Sequence, residues 1–143
     1  MQIKSLMTKR VVSVDMDDTL ATIKGIFEHM YFHHVLVIEK GKLLGVISDR
    51  DLFKALSPNL GQASENEHDT ATLKKRVHQI MTRKPITVRG DNDVYDAIAL
   101  FNQHSISCLP VLDEDQKVIG ILTWRDILRA LEARQKRKQS SQQ

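Results

Sequence analysis

The sequence predicts an α/β (α+β) protein built from two tandem repeats, each of β-α-β-β-α type. Three observations lead there: an ordered self-similarity at a near-constant shift, a hydrophobic pattern that alternates strand and helix within each copy, and a polar segment between the copies.

The self-similarity is read in matched segments. Leu6-Met7-Thr8-Lys9 recurs as Ile80-Met81-Thr82-Arg83, and Val12-Ser13-Val14 as Ile86-Thr87-Val88, both at a shift of 74. Leu44-Gly45-Val46-Ile47-Ser48-Asp49-Arg50-Asp51-Leu52 recurs as Ile119-Gly120-Ile121-Leu122-Thr123-Trp124-Arg125-Asp126-Ile127, and Lys54-Ala55-Leu56 as Arg129-Ala130-Leu131, at a shift of 75. The extra residue falls between Glu39-Lys40-Gly41-Lys42 and Asp113-Glu114-Asp115-Gln116-Lys117, turn-rich stretches that tolerate an insertion.

Each copy then reads in order. Val11 to Val14 and Ile86 to Val88 are short β segments. Asp17-Asp18-Thr19 and Asp91-Asn92-Asp93 supply the side-chain oxygens of helix N-caps. The helices that follow place Leu20, Ile23, Ile26, Phe27 and Met30 on one face, and Val94, Ala97, Ile98 and Phe101 on another. Val35 to Ile38 and Leu109 to Leu112 are continuous apolar strands, each turning into a second strand, Leu43 to Ile47 and Val118 to Leu122. Asp49 to Leu56 and Trp124 to Leu131 close the copies as helices. The boundaries expected are therefore repeat one over 1–56, a polar linker and helix start over 57–76, repeat two over 77–131 and a basic polar tail over 132–143. Within the linker, Ser57 to Asp69 is rich in turn-forming residues, and Thr70 to Met81 begins a helix leading into the second copy. One unit is too small to bury its sheet, so the two are expected to pack sheet to sheet about a pseudo-two-fold axis and to form two related clefts.

Composition narrows the class. The chain has 143 residues, 41% hydrophobic and 27% charged, the balance of a soluble globular protein. No apolar run approaches the roughly 20 residues that cross a bilayer, and Met1-Gln2-Ile3-Lys4 does not open a signal peptide. The single cysteine, Cys108, has no internal partner for a disulfide, which suits a reducing cytoplasm. The formal charge of +3 sits wholly on the tail, where Arg134, Lys136, Arg137 and Lys138 oppose Glu132. This tail is expected to be frayed and solvated, so the basic pI does not signal a nucleic-acid partner.

Two motifs carry chemistry. Ser48-x-x-Asp51 and Thr123-x-x-Asp126 fit helix capping boxes, with Asp in place of the usual Glu or Gln, and fit ligand binding equally on spacing alone. His29 and His33 have helical i, i+4 spacing, but Met30 stands where the zinc-protease pattern needs Glu. Cys108 in an apolar strand reads as a small buried hydrophobe. Neither a phosphate-binding Gly loop nor a nucleophile–base constellation is present, so catalysis is not expected.

The Met-Thr opening and the Gly-x-x-[Ser/Thr]-x-x-Asp before the last helix, present in both copies, with the Leu-Pro-Val strand at Leu109-Pro110-Val111 between them in copy two, resemble the CBS domain; the tandem resembles a CBS-domain pair, or Bateman module. The resemblance implies a non-catalytic regulatory module without a cofactor. Such a module senses adenosine-containing ligands (AMP, ADP, ATP or S-adenosylmethionine), forms a homodimer and modulates an unidentified protein partner. It implies one site joining Ser48, Arg50 and Asp51 to Thr82, Ile86, Ile106, Ser107, Cys108 and Pro110. A second would join Thr123, Arg125 and Asp126 to Thr8, Val12, Phe32, His33 and His34. In that setting an ionised Asp accepts from ribose hydroxyls, the hydroxyl and helix amides hold phosphate, and the arginines add charge-assisted bonds. Leu36 replaces the proline in copy one, and Trp124 stands opposite Asp49, so the two sites are expected to differ and the Asp51 site to be the better. A ligand-independent interaction module is the alternative; a nucleic-acid role would rest on the tail.

Overall fold

The computed structural model describes residues 1–142, and these divide into two compact units, residues 12–85 and residues 1–11 with those from 86 onward. The first unit runs β1 (Ser13–Val14), α1 (Leu20–Met30), β2 (His34–Glu39), β3 (Lys42–Ser48), α2 (Asp49–Ala55), α3 (Glu67–Ala71) and β4 (Thr82–Arg83). Its sheet has the order β1-β2-β3-β4, with β1 parallel to β2 and the other pairs antiparallel. Thr19 caps α1 by accepting the Thr22 N–H, and Leu20, Ile23, Val35, Val37, Ile47, Leu52 and Val77 form the buried core.

The other unit runs β5 (Val88–Arg89), α4 (Val94–Gln103), β6 (Cys108–Leu112), β7 (Val118–Thr123) and α5 (Trp124–Ser141). Its sheet has the order β5-β6-β7, again parallel then antiparallel. Asp93 caps α4, and Ile3, Val88, Val94, Ala97, Leu109, Val111, Leu122 and Ile127 make the core. No helix among the described residues is long and apolar enough to cross a membrane.

The compact units and the sequence repeats do not coincide. Each unit takes the body of one repeat and the leading segment of the other. Ile3 and Val77, 74 positions apart, both sit in 3₁₀ turns and are both fully buried, each contributing about 1.5–3 kcal/mol. Their backbones dock in the same way. The Ile3 N–H donates to the Asn92 carbonyl at 2.9 Å and the Lys4 N–H to Gly90 at 2.9 Å; the Val77 N–H donates to Asp18 at 2.8 Å and the His78 N–H to Met16 at 3.0 Å. Each leader then adds a rung to a hairpin. Thr8 exchanges two backbone bonds of 2.9 Å with Ile121, and Thr82 pairs with Val46.

The glycine of each hairpin makes this contact possible. A Cβ on Gly120 would lie 2.8 Å from the Thr8 carbonyl oxygen and 2.6 Å from Met7 Sδ; one on Gly45 would lie 2.8 Å from both the Thr82 carbonyl oxygen and Met81 Sδ. The recurrence of Met-Thr and of the hairpin glycine thus records one packing contact made twice.

Three expectations need correction. Neither Val11-Val12 nor Ile86-Thr87 is strand; pairing begins at Ser13 and at Val88. In copy one the Leu36 N–H reaches the Val12 carbonyl at 2.9 Å, but its counterpart Pro110 has no N–H to give, so the Ile86 rung is lost. Thr70 to Met81 is not the start of a helix. α3 ends at Ala71, a 3₁₀ turn spans Thr72–Lys74, and Lys75 and Arg76 are extended. There the Lys75 carbonyl accepts the Leu20 N–H and Arg76 bridges Thr19, so tertiary bonds to the start of α1 replace helical ones. The tail is not frayed over 132–141, because α5 continues to Ser141. It extends an already nucleated helix through strong helix formers, with a Glu132–Lys136 pair and cations toward the C-terminal end of the dipole.

Gly45→Ala and Gly120→Ala should each cost about 1–3 kcal/mol through overpacking. Gly25→Ala, in α1 with nothing within 4 Å of a new Cβ, should gain about 0.5–1 kcal/mol. Denaturant midpoints of the three variants check the contrast; equal effects would remove the close-packing argument.

Candidate functional site

Both Ser/Thr-x-x-Asp segments fold as capping boxes where a strand ends and a helix begins. In the first, Ser48 closes β3 and caps α2. Its Oγ accepts the Asp51 N–H at 3.0 Å, and Asp51 Oδ2 accepts the Ser48 N–H at 2.9 Å. Asp51 is half-buried, and its Oδ1 accepts no hydrogen bond among the described residues. Thr82 lies on β4 opposite Val46, exposed and two residues along β3 from the cap. His34 faces Ser48 across the ladder, and exposed Arg50 follows Asp49 on the first turn. Asp49 Oδ2 stands 2.9 Å from His33 Nδ1, while the Asp49 N–H donates to the His33 carbonyl at 2.9 Å.

In the second box Thr123 closes β7 and caps α5. Its Oγ1 accepts the Asp126 N–H at 3.3 Å, and Asp126 Oδ2 accepts the Thr123 N–H at 2.9 Å and the Thr123 hydroxyl at 3.2 Å. Asp126 Oδ1 accepts the Thr8 hydroxyl at 3.0 Å. The residue is 7% exposed, and both of its carboxylate oxygens accept bonds in this net. Cys108 pairs with Thr123 in the ladder and is buried, as is Pro110; Ile106 and Ile86 are half-buried and Ser107 is exposed. Arg125 is exposed, and Trp124 is 55% exposed.

Of the residues expected to act together, the structure brings Thr82 to the unit of Ser48 and Asp51, and Thr8 to that of Thr123 and Asp126. Val12, Phe32, His33 and His34 belong to the unit of Asp51, and Ile86, Ile106, Ser107, Cys108 and Pro110 to the unit of Asp126. Two features escaped the sequence reading: the His33–Asp49 pair and the Thr8–Asp126 bond. The recurrence of Thr8 as Thr82 was visible, but no local signal tells which acceptor its hydroxyl meets. His29 and His33 do not share a helix. Tyr31, at φ 55°, ends α1 at Met30, and among the described residues no group of three His, Cys, Asp or Glu could hold a metal ion. A recess of about 330 Å³ lined by Lys4, Arg89, Asp91, Asp113, Glu114 and Asp115 contains neither cap.

The model of the CBS domain matches residues 3–58 and 77–133, and the chain belongs to this family as a pair of CBS domains. A CBS domain-containing protein of Dictyostelium discoideum is 33% identical over 128 residues, covering 88% of each chain. Among solved structures, CBSX2 in complex with AMP is 27% identical with a TM-score of 0.77, covering 94% of this chain and 98% of that one. The CBS domain pair of protein MJ0100, in complex with 5′-methylthioadenosine and S-adenosyl-L-methionine, is 26% identical with a TM-score of 0.75, at 94% and 98% coverage. The chain spans 37% and 22% of the length of two other relatives, both from Methanocaldococcus jannaschii.

Burial holds the His34 imidazole below its usual 6.5 and outweighs the opposing pull of Asp49; His33 adds to the lowering and Asp51 opposes it. The unfolded chain therefore takes up a proton at a higher pH than the folded one. Stability should be full above about pH 6.5 and decline as pH falls from there toward the depressed folded value. Thermal midpoints between pH 7.5 and 5 should fall more steeply for the wild type than for His34→Gln; parallel curves would show that His34 contributes nothing.

Proposed function

We propose that the chain is a non-catalytic sensor in which Asp51 and Asp126 accept the ribose hydroxyls of an adenosine-containing ligand. The observation that carries this reading is the pair of Ser/Thr-x-x-Asp caps, one per repeat, each presenting a carboxylate with acceptor capacity beside an exposed arginine. Support comes from similar CBS pairs that hold AMP, or 5′-methylthioadenosine and S-adenosyl-L-methionine. Arg50 and Arg125 suit a phosphate by charge-assisted bonding, and half-buried Ile86 and Ile106 offer apolar surface to an adenine. Ligand binding would shift the population of conformers that a protein partner reads. The buried cysteine fits a cytoplasmic setting.

A second reading, ligand-independent association, is favoured by one feature of α5. Trp124, Leu128 and Leu131 share a face and are 55%, 54% and 46% exposed. This stripe suits a homodimer contact or a partner helix.

Isothermal titration should give binding of AMP, ATP or S-adenosylmethionine to the wild type and its loss in Asp51→Ala plus Asp126→Ala, with circular dichroism checking that the variant is folded. Wild-type affinity in that variant, or no heat from any of the three, would remove the sensor reading. Light scattering of Leu128→Glu should show a dimer converted to monomer if the α5 stripe is the contact.

A further inference from the structure

The two caps differ in how much of each carboxylate is already used. An ionised carboxylate offers about four acceptor positions, two on each oxygen. In the first cap the Ser48 N–H takes one position on Asp51 Oδ2, and Oδ1 is open among the described residues. In the second, the Thr123 N–H and hydroxyl fill Asp126 Oδ2, and the Thr8 hydroxyl takes half of Oδ1. Asp51 thus keeps about three positions and Asp126 about one. Thr82, the counterpart of Thr8, is exposed and makes no hydroxyl bond to Asp51 among the described residues, whereas Thr8 is half-buried.

We propose that Thr8 is a specificity-determining residue: its hydroxyl occupies Asp126 so that the second cap grips one hydroxyl of a sugar, while the Asp51 cap grips both. This rests on the proposed reading of the caps as ribose acceptors. A cis-diol presents two O–H donors. At Asp51 both find a charged acceptor, so removing the 2′-hydroxyl deletes a charge-assisted bond, a loss on the order of tenfold in affinity. At Asp126 only one donor is accommodated, and the 2′-deoxy sugar loses little. The Asp51 cap is therefore selective for ribose, and the Asp126 cap takes ribose and 2′-deoxyribose nearly alike.

Titrations with AMP and 2′-deoxy-AMP test this on Asp126→Ala, which keeps the first cap, and on Asp51→Ala, which keeps the second. The ratio of affinities is expected to be about tenfold or more at the first and within about threefold at the second. Thr8→Val in the Asp51→Ala chain preserves the β-branched shape and the backbone rung to Ile121 while removing the hydroxyl; it should raise the ratio toward that of the first cap. Thr8→Val in the otherwise unchanged chain, where both caps are intact, should do the same at the less selective site. Equal ratios at the two caps, or no change on Thr8→Val, would overturn the proposal while leaving the sensor reading standing. If the second cap binds no AMP, Thr8→Val is expected to restore binding, and failure to do so overturns it. Absence of AMP binding to every variant and to the wild type sinks the sensor reading, and this inference with it.

Discussion

The close approach of each Met-Thr leader to a hairpin glycine is the contact on which the rest of the molecule depends. The Thr8 carbonyl oxygen and Met7 Sδ fill the space where a side chain on Gly120 would stand, and Thr82 and Met81 do the same over Gly45. This contact lets the leader add a rung to the last strand before the cap, at Ile121 in one unit and Val46 in the other. It also buries Ile3 and Val77 in cores that their own repeats do not supply. Each core as it stands takes a leader from the other repeat, so both copies contribute to both cores. Each copy completes the other, which suits a repeat of some 56 residues, a size at which a lone core is marginal.

The caps inherit their position from that exchange. Each lies at the end of the hairpin strand that the leader pairs with, two residues beyond the rung. The capping box and the binding reading are therefore not rivals. The bonds that satisfy the helix N-terminus also hold the carboxylate at the strand end, and in the proposed reading a ligand would use what remains of its acceptor capacity. The leader decides that remainder, because Thr8 reaches Asp126.

Much of the fold was legible because the recurring residues are those whose burial or backbone geometry is demanding. The apolar runs at Val35 to Ile38 and Leu109 to Leu112 marked the strands, and Thr19 and Asp93 marked the helix starts. The errors fell where local preference met a distant bond. Lys75 and Arg76 are sound helix formers, yet their backbone is extended because the start of α1 uses it. The tail looked disordered from its charge, yet it is helical to Ser141, because continuing a formed helix needs no new nucleus. The caps themselves were readable as motifs, but the occupancy of each carboxylate was not.

By itself the sequence determined that there are two copies, which main segments of each are strand and helix, and that a hydroxyl–carboxylate motif opens the last helix of each copy. These follow from periodicity and short-range spacing, which act between residues a few positions apart. Only the tertiary structure decided that the leaders are exchanged, that Pro110 costs a rung which Leu36 keeps, and that Oδ1 of Asp126 is taken by Thr8 while Oδ1 of Asp51 accepts no bond among the described residues. Those facts depend on bonds between residues 24 to 118 positions apart. Their partners are chosen by packing, and identical Met-Thr motifs carry no mark of which hydroxyl will find an acceptor.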